Sequence, residues 1–83
     1  MRTPITLEEF LFTLNQDEDI LVTVIDYDTD EKIIIKEWKD GFPISIQFQA
    51  ICYDVIKDYF VLDFTLMLGG LEITIVKSEE ELN

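Results

Sequence analysis

Histidine is absent from this 83-residue chain, and cysteine and tryptophan occur once each, proline twice and glycine three times. The missing imidazole excludes His general bases, Ser-His triads and Cys-His dyads. With Cys52 alone, no intramolecular disulfide can form, which excludes a disulfide-stapled secreted mini-protein and fits a reducing cytoplasm. Zinc would have to bind one thiolate and carboxylates, a poor ligand set. Long apolar runs are also lacking. The richest stretch, Phe60 to Leu68, is broken by Asp63 and is far too short to span a bilayer. The opening Met1-Arg2-Thr3-Pro4 has no apolar signal core.

Positive charge is scarce as well. Six Lys and Arg face 18 Asp and Glu, for a net charge of −12. With a pI near 4.1, binding to phosphate backbones or anionic membranes is unfavourable, and the partners to expect are cations or basic protein surfaces. Such a charge alone would suit a disordered chain. However, 48% of the residues are hydrophobic, and disordered chains lack that apolar content. The expectation is one small folded domain over residues 1–83, with residues 77–83 a frayed acidic tail.

Thr6-Leu7-Glu8-Glu9 matches a capping box, and Leu7, Phe10, Leu11 and Leu14 follow at helical spacing. A short amphipathic helix is expected there. Ile20–Tyr27 is rich in β-branched residues and reads as a strand; Lys32–Trp38 reads as its hairpin partner across Asp28–Glu31. Lys39 to Pro43 reads as a break. Two patterns compete over Ser45–Asp58. Ile44, Ile46, Phe48 and Ala50 alternate with polar residues as in a strand. Phe48, Ile51, Cys52, Val55 and Ile56 share one face of a helix. The helical pattern covers more of the segment, so a helix from near Ser45 is preferred, with Cys52 buried on its apolar face. Tyr59–Leu68 and Leu71–Val76 read as a second hairpin turned at Gly69-Gly70. The order α-β-β-α-β-β predicts an α+β domain: a four-stranded, mostly antiparallel sheet with helices on one face.

The sharpest local motif is Asp26-Tyr27-Asp28-Thr29-Asp30-Glu31, continuing to Glu37. Acids at its first, third, fifth and twelfth positions resemble an EF-hand calcium loop, with Asp26, Asp28, Asp30 and Glu37 as ligands. Against this, Glu31 stands where the loop wants glycine, and the flanks read as strands. The favoured reading is a hairpin with an acidic tip whose Asp side chains cap the turn, holding no metal and no other cofactor. Asp17, Glu18 and Asp19 form a second acidic run at the far end of the first strand. Together with Asp26, Asp28, Asp30 and Glu31 they are the candidate contacts for a basic partner. Such a field steers association with basic clefts, which nucleic-acid-binding proteins carry. Trp38, Phe42, Tyr53 and Tyr59 are candidates for either core or interface anchors. The carboxylates Glu79 to Glu81 sit in the tail without a pocket to split their pKa values, so no enzymatic activity is expected.

The segments TLEEFLFTL, ILVTVIDYD and VLDFTLMLGGLEITI, within a short chain rich in Ile and Asp, resemble small accessory proteins of phages and mobile elements in Gram-positive bacteria. The composition is similar to anti-CRISPR and anti-restriction inhibitors. This resemblance implies a cytoplasmic inhibitor that binds a host nuclease or its nucleic-acid channel, and it carries over no functional residues. Two other roles are open: a homodimer or other homo-oligomer pairing through Phe60–Leu68 or exposed aromatics, and a calcium-responsive module using Asp26–Glu37.

Overall fold

A computed structural model describes residues 4–14, 20–78 and 80. The elements run α1 (Leu7–Thr13), β1 (Leu21–Asp26), β2 (Lys32–Lys39), β3 (Phe42–Gln49), α2 (Tyr53–Ile56), β4 (Phe60–Met67) and β5 (Gly70–Val76). The strands form one mixed sheet in the order β3-β2-β1-β5-β4. β1, β2 and β3 are joined as antiparallel neighbours, and β4 and β5 form a second antiparallel pair. The two blocks meet where β1 and β5 run parallel, with Val22 beside Leu71 and Val24 beside Ile73.

The four-stranded, mostly antiparallel sheet expected from the sequence is therefore corrected in two respects: there are five strands, and the central pairing is parallel. The fifth strand arises in the segment read as helix. Asp40 and Gly41 both have positive φ, 53° and 83°, as the two central residues of a type I′ turn require. Lys39 to Pro43 is thus a tight hairpin turn rather than a break, and it feeds β3 directly back along β2. Of the supposed helical face, Phe48 lies in β3, and Cys52 and Val55 are exposed. α2 is a single turn that buries Tyr53 and Ile56. It lies on the connection from β3, at one edge of the sheet, to β4, at the other.

The first helix forms where its signals lie. The Thr6 hydroxyl accepts the Glu9 amide, and Glu9 accepts the Thr6 amide in return. The Leu7 and Glu8 amides donate to the carbonyls of Tyr59 and Lys57, so the donors of the first turn are satisfied within the fold. Leu7 and Leu11 are fully buried against Val22, Val24, Ile33, Ile35, Ile73 and Ile75, one alternation of the central strands. Tyr53 and Ile56 of α2 complete the same core. The opposite alternation, which includes Thr23, Ile34, Glu72 and Thr74, is partly open to water.

Candidate protein-binding surface

The β1–β2 turn places the acidic motif. Asp26 ends β1 and is 7% exposed. Its carboxylate accepts the Asp28 amide at 2.9 Å, and its carbonyl accepts the Asp30 amide at 2.8 Å. Asp30 takes φ 63°, a left-handed value that Asp tolerates. The Thr29 hydroxyl accepts the Glu31 amide, and the Glu31 carbonyl accepts the Asp26 amide, which closes the turn. Asp26 is thus a turn-capping group facing inward. Asp28, Asp30 and Glu31 are exposed at the tip, and so is Tyr27 at the start of the turn, 64% exposed. Glu37 lies well along β2, outside this turn. Among the described residues, no three metal-ligating side chains come together. Asp17, Glu18 and Asp19 lie outside the described residues.

At the other end of β2, roughly 23 Å away at about 3.3 Å per strand residue, the β2–β3 turn approaches α1. An open groove of about 500 Å³ lies there, lined by Ile5, Glu8, Glu9, Phe12, Asp40 and Phe42 among others. The Thr6 amide and hydroxyl donate to Glu9 and hold its carboxyl below the usual carboxylate range. A Cβ on Gly41 would stand 3.0 Å from the Glu8 carbonyl oxygen, so the turn and helix fit together closely. Phe42 meets Tyr53 edge-on, with ring centres 5.9 Å apart. Each end of β2 thus has one carboxylate held by hydrogen bonds, Asp26 at the tip and Glu9 at the groove, and an exposed aromatic ring.

The aromatic candidates divide. Trp38 and Tyr53 are core residues, and Tyr59 is half-buried against the core. Phe42 is partly exposed. The more exposed rings, Phe12 and Tyr27, were not singled out from the sequence: Phe12 lies one residue off the apolar stripe of α1, and Tyr27 extends the β1 alternation beyond the strand's end. Cys52, expected to be buried, is an exposed free thiol at the start of α2. Among the described residues, the ion pairs reduce to one, Lys57 with Asp58 at 3.5 Å. Among the described residues, the carboxylates of both ends therefore have no cationic partner.

No helix among the described residues is long and apolar enough to cross a membrane. No family model, curated protein or solved structure matches this chain.

Proposed function

We propose that this chain is a small non-enzymatic protein-binding domain of a phage or mobile element. In the host cytoplasm it would inhibit a basic nucleic-acid-binding enzyme, such as a nuclease, by covering its nucleic-acid channel. The observation that carries this reading is the tip of the β1–β2 hairpin. The backbone of Asp28, Asp30 and Glu31 is held by turn hydrogen bonds, their side chains are exposed, and among the described residues none of them is paired with a Lys or Arg. Carboxylates presented on a rigid frame can occupy a basic cleft in place of phosphates, because little ordering entropy is lost when they bind.

The reading is tested by capture from source-cell lysate on the tagged full-length chain, followed by a nuclease assay on the captured protein. The expected partner is a basic nucleic-acid-binding enzyme that the chain inhibits. Inhibition should weaken as the screening length falls from about 30 Å at 0.01 M salt to about 8 Å at 0.15 M. The triple variant Asp28→Asn, Asp30→Asn, Glu31→Gln should lose inhibition with its fold intact. Inhibition indifferent to both salt and the triple variant would overturn electrostatic occlusion.

A further inference from the structure

Charge is not spread evenly over the sheet. Residues 32–49, which span β2 and β3, hold three cations (Lys32, Lys36, Lys39) against two anions (Glu37, Asp40), a net charge of +1. That leaves −13 on the rest of a chain whose total is −12. β3 itself, Phe42-Pro-Ile-Ser-Ile-Gln-Phe-Gln49, has no charged residue. It is also an edge strand, and no hydrogen bond from a described residue other than those of the β2 pairing reaches its backbone between Ile44 and Gln49. Ile44, Ile46 and Phe48 are all exposed, Ile44 to 63%, and a register shift between Ile46 and Phe48 sets Ile46 beside Ile35 and Phe48 beside Ile34.

Edge strands are usually blunted by charge, by a bulge or by a covering segment. The opposite edge has all three. Thr6 bridges to Phe60, and the Val61 amide donates to the Ile5 carbonyl, so the segment entering α1 covers the start of β4. The register then shifts between Val61 and Asp63, where a carboxylate follows. On β3, Pro43 blunts the first residues, register shifts bulge the hairpin between Pro43 and Phe48, and the Lys32 ammonium lies 5.9 Å from the centre of the Phe48 ring. However, no described segment covers the strand from Ile44 onward, and its own side chains carry no charge.

We infer that β3 is an interface between two copies of this chain, which pair edge to edge and antiparallel about a two-fold axis near Ile46. Two molecules that each carry −12 repel over most of their surfaces. They can approach where the local charge is slightly positive and the contact strand is neutral. A basic partner would be drawn to the acidic ends of the molecule instead, so charge selects a second copy for this edge. With the two β3 strands paired about Ile46, the exposed apolar side chains of both are covered and the two sheets become one ten-stranded sheet. This pairing is independent of the inhibitory role proposed above.

The test is light scattering on the full chain from about 1 μM to about 0.2 mM, since a dimer must depend on concentration. The expected result is a rise from 9.7 kDa to twice that mass, strengthened by salt because screening removes the remaining repulsion. Ile44→Lys with Ile46→Lys should restore the monomer mass with an unchanged circular dichroism spectrum. Leu66→Lys with Leu68→Lys, on exposed residues of the β4–β5 hairpin, should leave the dimer intact. A monomer throughout this range would overturn the inference. So would a dimer that survives the β3 variants, or one abolished by the Leu66 and Leu68 variants.

Discussion

The Tyr53 hydroxyl donates to the Gly41 carbonyl at 2.7 Å, tying the single turn of α2 to the β2–β3 turn. Burial, followed by the charges of Glu8 and Asp58, raises the Tyr53 pKa well above its ordinary value of 10.0. The folded state therefore keeps the proton to higher pH than the unfolded chain does. This contribution to stability is complete below about pH 10 and is lost as pH rises through the folded-state pKa. Tyr53→Phe should cost about 1 kcal/mol at neutral pH through the missing hydrogen bond. It should also flatten the fall in stability above pH 10. Urea melts of both proteins at neutral and alkaline pH check this; an equally steep alkaline fall in the variant would show that Tyr53 does not drive it.

Two adjacent glycines should respond differently to alanine. Gly69 has φ 85°, but a Cβ there would meet nothing within 4 Å, so Gly69→Ala should cost about 1–2 kcal/mol of left-handed strain. A Cβ on Gly70 would stand 2.5 Å from the backbone oxygen of Leu21, at the start of the β1–β5 pairing. Backbone cannot swing aside as a side chain can. Gly70→Ala should therefore be the more damaging change, and the order of the two denaturation midpoints decides the point.

These glycines also show what the sequence did and did not make legible. Gly69-Gly70 marked the last hairpin correctly, but the turn sits at Leu68-Gly69, and Gly70 is needed for a close approach that only the third dimension reveals. The capping box and the leucine stripe of α1 were readable because both are local. The first hairpin was readable because its strands are rich in β-branched residues and the acidic tip interrupts them. β3 was missed although Asp40-Gly41 is a hairpin signal, because Phe48 to Ile56 mimics a helical face. An edge strand exposes its apolar residues, so burial does not enforce the alternation that identifies a strand. The parallel β1–β5 pairing joins strands over forty residues apart, and neither sequence names its partner. At the candidate surface, the exposure of Asp28, Asp30 and Glu31 followed from turn chemistry. The groove beside Phe12 and Phe42 did not, because it depends on how α1 lies against a turn unrecognised in the sequence.

Cys52 offers a direct check on that misread segment. A helix running from Ser45 would bury the thiol, whereas a strand followed by one helical turn leaves it exposed. The native protein should react with a thiol reagent at a rate close to that of the urea-unfolded chain, since access limits buried thiols. Protection of about a hundredfold or more, the scale on which opening equilibria slow exchange, would contradict this placement.

Electrostatics should also govern stability. Exposed carboxylates outnumber cations, and Lys57–Asp58 is the one ion pair among the described residues, so salt has little attraction to weaken and much repulsion to screen. The melting temperature should rise between 0.01 M and 0.1 M salt, as the screening length falls from about 30 Å to about 10 Å. Glu72 localises the effect. It stands on the open face of the central sheet between Thr23 and Thr65, with Ile34 and Phe48 farther along the same row. The cation nearest this row, the Lys32 ammonium, lies over the Phe48 ring at its far end rather than beside Glu72, and Glu is a poor strand former. Glu72→Thr removes one unit of repulsion and supplies a β-branched neighbour to two threonines. It should stabilise the fold by about 0.2–1 kcal/mol, the range of cross-strand pair effects. The gain should shrink as salt rises to the extent that repulsion is its cause. A loss of stability on this substitution would mean that Glu72 has a favourable partner, and that the negative field is not what limits this fold.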